Sequence, residues 1–173
     1  MNEGLDEFFE GLKMCLDKLY TFGVKQVPTK DEVISAQGCK WEVFKDLAEK
    51  LNKRELTGHA ARDAIELVMS SATAEQWNGF YRRILIKDLR CGVSEKTVNS
   101  VAKKNKYGKY MVPVFTCQLA HDSANHEKKL VGEKMLEVKL DGVRTLAIAY
   151  PDGKVDMFSR NGKEFTNFGH IQE

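Results

Sequence analysis

No apolar run in the chain approaches the roughly 18 residues needed to cross a bilayer. The acidic opening, "MNEGLDEFFEGL", lacks the basic-then-apolar layout of a secretion signal. Cysteine is scarce: Cys15, Cys39, Cys91 and Cys117 lie 24, 52 and 26 residues apart, without a Cys-x-x-Cys pair or a histidine completing a zinc pattern. His121 and His126 are five apart, which is wrong for one helix face, and the stretch "HDSANH" reads as loop. These absences point to a soluble intracellular protein with four reduced thiols and no metal held by Cys or His.

What is present suits one large domain, or one domain and part of another: 173 residues, 42% hydrophobic and 30% charged. The net charge of +2 hides an asymmetry. From Gly79 to Tyr110 there are nine Lys/Arg against two Asp/Glu, so the rest of the chain is net acidic. Charge this localised suggests a polyanion-binding face, although a basic helix face that is merely solvated is the plainer reading.

The first part reads as helices. "LDEFFEGLKMCLDKLY" places Leu5, Phe8, Phe9, Leu12, Leu16 and Leu19 near a 3.6-residue period. Thr29 with Glu32 fits a capping box opening a segment toward Ile34, and Gln37-Gly38 interrupts it before "KWEVFKDLAEKLNKR". Thr57-Gly58 opens "HAARDAIELVMSSA". Thr73 and Gln76 form another capping box for "AEQWNGFYRRILIKDLRC", which Gly92 is placed to end, and Ser94 caps "EKTVNSVAKKN". From Met111 the texture changes. After a short helical candidate, "NHEKKLVG", come the β-type runs "KMLEVKL", "VRTLAIAY" and "KVDMFSR", with turns at Pro151–Lys154 and Asn161-Gly162. The expected fold is α+β: a helical domain over 1–115, then the opening strands of a second domain over 116–173 that looks cut off.

One stretch carries chemistry. "EVKLDGVR" (Glu137–Arg144) sets one lysine among apolar residues, then Asp-Gly and an arginine. Asp-Gly suits a hairpin turn. The alternative is a nucleophilic amine: a lysine attacks only when neutral, so its pKa must fall from about 10.4 through burial or a nearby cation. Lys139 ends an apolar strand, Arg144 is the candidate cation, and Gly142 lets a ligand approach the backbone.

These residues resemble the Lys-x-Asp-Gly-x-Arg element of ATP-dependent DNA ligases, of the bacteriophage or archaeal/eukaryotic type. "SRNG" (Ser159–Gly162) resembles a second element of that family, and "ELTGHAARDAI" and "RRILIKDLRCGVSEKTVNSV" resemble the helical DNA-binding domain that precedes its nucleotidyltransferase domain. The likeness runs from about residue 54 to 168 by motif. It implies an enzyme that seals nicks in duplex DNA. Lys139 would attack the α-phosphorus of ATP, expelling pyrophosphate to give lysyl-AMP. Glu137 and the Val138 backbone would lie beside the adenine, Arg144 near the ribose, and Arg160 near the nucleotide or the 5′-phosphate. Asp141 and Gly142 would shape the loop. Mg²⁺ would neutralise the phosphates, with its ligands largely in later motifs. AMP would then pass to the 5′-phosphate, and the 3′-hydroxyl would displace it.

For DNA, the implied contacts are Thr57, Gly58, His59, Arg90, Gly92, Ser94, Lys96 and Thr97 at two helix starts, with Lys103, Lys104 and Lys106 adding charge. The resemblance further implies a monomer with nicked double-stranded DNA and ATP as partners, no membrane, and a place in the cytoplasm, or the nucleus of a eukaryote. A DNA-binding module whose lysine is idle stays open, as does an RNA ligase or capping enzyme, although "LTGHAA" and "DLRCGVSEKTV" argue against the latter.

Overall fold

The computed structural model describes residues 3–31, 37–138 and 141–172. The fold is α+β, in two compact units, Met1–Val114 and Phe115–Glu173.

Unit 1 is helical: α1 (Glu3–Leu16), α2 (Trp41–Asn52), α3 (Gly58–Ser71), α4 (Ala74–Gln76), a π-helical turn (Trp77–Tyr81), α5 (Arg82–Leu85) and α6 (Glu95–Lys104). The apolar periodicity chooses what each helix buries. In α2 these are Trp41, Phe44, Leu47, Ala48 and Leu51; in α3, Ala61, Ile65 and Val68; in α6, Val98 and Ala102. The main core gathers α2, α3, α5 and the π turn around Phe44, Leu51, Trp77 and Ile84, all fully buried. Side chains of this size each contribute about 1.5–3 kcal/mol when removed from water. Phe44 stacks on Tyr81 with ring centroids 4.4 Å apart. A second cluster joins Phe9 and Leu12 of α1 to Val98, Tyr110 and Val112, so α1 contributes to both. The expected extension of α1 to Leu19 does not occur: the helix stops at Leu16 and Leu19 is exposed.

The π turn positions a row of donors along the extended segment before α2. Trp77 Nε1 donates to Pro28 O and Arg82 Nε to Val27 O, each at 2.9 Å. Asn78 exchanges two hydrogen bonds with the Lys30 backbone, and Tyr81 Oη donates to Cys39 O at 2.9 Å. Thr29–Asp31 is not helical. The capping partner expected there, Glu32, lies with Ile34 outside the described residues.

The capping boxes and helix ends divide into agreements and one correction. Thr73 and Gln76 form both arms of their box, and Ser94 caps α6. Gly92 does not end the preceding helix. That helix closes at Leu85, with Lys87 in the left-handed region (φ 58°); Lys87 N donates to Ile84 O and Asp88 N to Arg83 O. This is a Schellman motif with lysine where glycine is usual. The Lys87 ammonium turns inward to the carbonyls of Asp17 and Tyr20, which offsets the backbone cost. Burial holds its pKa below the ordinary lysine value, against the pull of Cys15 and Asp17.

Unit 2 has little regular structure. Two 3₁₀ turns, Ser123–Asn125 and Glu127–Lys129, stand where one short helix is expected. Strands β1 (Thr145–Ala149) and β2 (Val155–Ser159) form an antiparallel hairpin, with Leu146 opposite Phe158 and Ile148 opposite Asp156. Gly153 (φ 85°) completes the connecting turn. Beyond β2, Glu164 bridges to Phe158, and α7 (Gly169–Gln172) ends the described chain. The strand expected over Lys134–Leu140 does not form over 134–138, which has no sheet partner among the described residues, and a lone strand cannot satisfy its backbone or bury a face; Lys139 and Leu140 lie outside the described residues.

Candidate functional site

In unit 2, antiparallel pairing runs up to Thr145 opposite Ser159. Arg144 directly precedes β1, and Arg160 directly follows β2 in the turn that begins at Ser159. Both line one cleft of about 810 Å³, together with Asp141, Gly142, Ser159 and Asn161. The turn after β2 shapes its rim: Gly162 N donates to Ser159 O and Ser159 N to Lys163 O, with Gly162 at φ 84°. A Cβ on Gly162 would sit 2.6 Å from the Phe115 side chain, so conformation and space both demand glycine.

Arg144 is anchored. Its Nη1 donates to Gln118 O at 2.6 Å and lies 3.8 Å from Cys117 Sγ. Neither arginine is ion-paired among the described residues, and both are exposed. Two guanidinium groups lining one cleft repel each other, and an anion between them removes that cost. The cleft is therefore suited chemically to a phosphate or carboxylate. Lys139 lies outside the described residues. Of its neighbours, Asp141 and Gly142 line the cleft, while Glu137 and Val138 do not and are exposed. The carbonyl of Gln118, which fixes Arg144, carries no side-chain signal and was invisible in sequence. Among the described residues no group of three His, Cys, Asp or Glu side chains is placed to hold a metal ion.

In unit 1 the two predicted helix starts are exposed. Thr57 stands at the N-cap of α3 in extended conformation (φ −140°, ψ 162°), with no capping hydrogen bond from its hydroxyl. Gly58 follows at φ 56° with open space around it. The first N–H groups of this helix therefore face outward with His59 beside them. At α6, Ser94 Oγ accepts from Thr97 N at 3.4 Å and lies 3.2 Å from Thr97 Oγ1. Arg90 (φ 50°) and Gly92 (φ 65°) both take left-handed backbone in the loop before it. Lys96 lies in the first turn, Lys103 and Lys104 in the last, and Lys106 (φ 59°) is the left-handed residue closing the helix. All of these side chains are exposed.

The basic stretch does not act as one face. Arg82 and Lys87 are spent on backbone carbonyls, Arg83 and Arg90 lie 3.9 and 3.1 Å from Asp88, and Lys109 lies 3.4 Å from Asp6, so among the described residues the unpaired charge belongs to Lys96, Lys103, Lys104 and Lys106. At about 1.5 Å of rise per residue, Lys96 and Lys103–Lys104 address points about 10–12 Å apart along the helix.

No known family pattern matches the chain, and no curated protein does. Solved structures do. One named "Pmar-Lig_Pre." is 64% identical and superposes with a TM-score of 0.83, over 99% of this chain and 39% of that one. Another, named "Pmar-Lig_PreS3", is 64% identical with a TM-score of 0.81 and the same coverage. The chain thus spans about two fifths of the length of the structures it resembles.

Proposed function

We propose that this chain is a segment of an ATP-dependent DNA ligase, with unit 1 gripping nicked duplex DNA and unit 2 carrying the adenylated lysine. The word fragment "Lig" in the names of structures 64% identical to it supports a ligase-related protein. The finer reading rests on one observation: Arg144 and Arg160, distant in sequence, line one cleft with the Asp141-Gly142 loop that directly follows Lys139 and Leu140. In this reading the two guanidinium groups hold the phosphates and ribose of ATP. The neutral Lys139 amine attacks the α-phosphorus; an N–P bond forms, the bond to pyrophosphate breaks, and the amine loses its proton. Mg²⁺, when bound, screens the phosphate charge. The exposed N–H groups at the starts of α3 and α6 seat DNA phosphates without reading bases.

The test is equilibrium binding of a fluorescent ATP analogue to the wild-type chain and to its Arg144→Ala and Arg160→Ala variants. Charge-assisted hydrogen bonds are worth about 1.5–3 kcal/mol, so each variant should bind at least about tenfold more weakly. Equal affinity in all three would remove nucleotide from this cleft. Retention on nicked duplex without nucleotide binding would support the second reading, a DNA-binding module, which the better-packed unit 1 favours.

A further inference from the structure

Unit 1 holds a cleft of its own, about 890 Å³, lined by the 22–28 segment, the link from α2 to α3, the first half of α3, and two residues near α5. Four lining residues, Phe22, Val27, Ala61 and Ile65, belong to the main core, and Leu56 and Ile86 are partly buried against it. The charged lining is one-sided: Lys25, Arg54, Arg62 and Arg82 stand against a single carboxylate, Glu66. Arg82 spends its Nε on Val27 O. Lys25, Arg54 and Arg62 are exposed and have no ion pair among the described residues. Cations drawn from separate elements into one concave site raise its potential for an anion.

Arg54 is held there at a cost. It follows the end of α2 in left-handed backbone (φ 63°), with Arg54 N donating to Leu51 O and Glu55 N to Lys50 O. This is a Schellman closure with arginine where glycine is usual. The guanidinium reaches across to the 22–28 segment: a Cβ on Gly23 (φ 69°) would lie 1.5 Å from Arg54 Nη1, so a side chain there would displace it. Lys87, in the same backbone state, recovers the cost through two carbonyls. Arg54 has no such polar partner among the described residues. A strained residue that presents an unused charge to a cleft is the kind of outlier that points to a ligand.

We infer that this cleft binds a nucleotide that stands outside a duplex, with Arg54 and Arg62 meeting its phosphate and the apolar lining meeting its ring. A phosphate alone needs donors and charge but no cavity. A cleft of this volume with an apolar lining adds room for a flat ring, and arginine planes also stack on unpaired bases. Thr57 and Gly58, at the uncapped start of α3, line the same cleft and supply backbone N–H groups. The ligand is a nucleoside phosphate, either free or as the unpaired terminal nucleotide of a DNA strand. The inference goes beyond the proposed ligase reading: it rests on the unit 1 cleft and is independent of adenylation at Lys139.

The test follows amide NMR shifts of the 173-residue chain carrying Arg144→Ala and Arg160→Ala, so that the unit 2 cleft does not compete. The probes are AMP, inorganic phosphate, blunt duplex DNA, and the same duplex with a single unpaired 5′-nucleotide. AMP or the overhang duplex should shift the amides of 22–27 and 56–62, and phosphate should bind there at least about tenfold more weakly than AMP. Arg54→Gly, which keeps the left-handed turn, and Arg62→Gln should each weaken that binding at least about tenfold without lowering Tm. A response to AMP identifies a free nucleotide as ligand; a response to the overhang duplex beyond that to the blunt one identifies a strand end. Equal shifts from the two duplexes with none from AMP would make the cleft a duplex phosphate seat and overturn the inference. Phosphate binding as tightly as AMP, no shift from any probe, or shifts that both variants leave unchanged would overturn it as well.

Discussion

Removing one ammonium group from the surface of unit 1 should cost more than most core truncations of similar size. Helix α3 ends at "ELVMSSAT" with no glycine to close it, and the chain leaves in extended conformation at Ala72 (φ −76°, ψ 153°). The carbonyls of its last turn are closed instead by Lys30, whose Nζ donates to Met69 O and Ser70 O at 2.8 Å and to Ala72 O at 2.5 Å. Lys30→Met keeps the stem and removes all three bonds. A hydrogen bond from a charged donor is worth about 1.5–3 kcal/mol, and a buried carbonyl left unpaired costs about 1–3 kcal/mol. Ala72 is fully buried while Ser70 is exposed and rehydrates, so the bonds do not add. Adding about 0.3–1 kcal/mol for the positive charge at a helix C-terminus, the net loss is about 2–4 kcal/mol. For a unit of this size that lowers Tm by roughly 8–16 °C. Far-UV circular dichroism melts of the wild type, Lys30→Met and Lys30→Arg should place the arginine variant between the other two. A shift below about 2 °C for Lys30→Met would refute the capping role.

Other outcomes follow from particular contacts. Lys106→Gly should stabilise by about 0.5–1 kcal/mol, because left-handed backbone costs a non-glycine residue and this side chain is exposed; Lys87→Gly should destabilise, because its ammonium ties down Asp17 and Tyr20. Urea titrations giving both variants the same sign would contradict this contrast. Burial pushes the Glu10 carboxyl up, but hydrogen bonds from Trp41 Nε1 and Lys45, with the charges of Lys45 and Lys109, outweigh it and hold the pKa below 4.5. A depressed carboxylate contributes stability that is present above its unfolded pKa and lost as pH falls through the folded one. The Tm gap between wild type and Glu10→Gln should therefore narrow below about pH 4.5; a gap that widens there would reverse the assignment. If Arg90, Lys96, Lys103, Lys104 and Lys106 all meet phosphate, log affinity for nicked duplex should fall with log salt at a slope of about −4 to −5. A slope near zero would detach these residues from DNA.

The sequence was legible where a side chain reports its own local geometry. Thr73 and Gln76 announced a capping box because the motif needs those two groups at that spacing, and the periodicity of α2 and α3 named their buried faces. It was not legible where long-range contacts decide. The helix before Arg90 was expected to run on to Gly92, since Lys87 gives no hint of left-handed backbone; the carbonyls of Asp17 and Tyr20, distant in sequence, make that conformation affordable. The π turn at Trp77–Tyr81 was equally silent, because its reason is the row of partners from Val27 to Cys39. The apolar residues of Lys134–Leu140 predict a strand, but pairing cannot be read from one strand, and 134–138 stays unpaired. In the cleft, Arg144 and Arg160 are legible as motif residues, but their sharing one cleft follows from the β1–β2 pairing that ends at Thr145 and Ser159 beside them, and the anchor on Gln118 from a backbone carbonyl.

The central claim is that Lys139 becomes covalently adenylated, and intact-protein mass spectrometry tests it most directly. The sample is the single polypeptide carrying these 173 residues in place of the aligned stretch of "Pmar-Lig_Pre.", incubated with ATP and Mg²⁺. The account predicts one added AMP per chain, mapping by proteolysis to the peptide that contains Lys139. Lys139→Arg should gain none, because a guanidinium does not deprotonate in proteins, while still binding nicked duplex through unit 1. A folded protein that gains no AMP, or a Lys139→Arg variant that still gains it, would contradict the claim and return "EVKLDGVR" to the status of a turn.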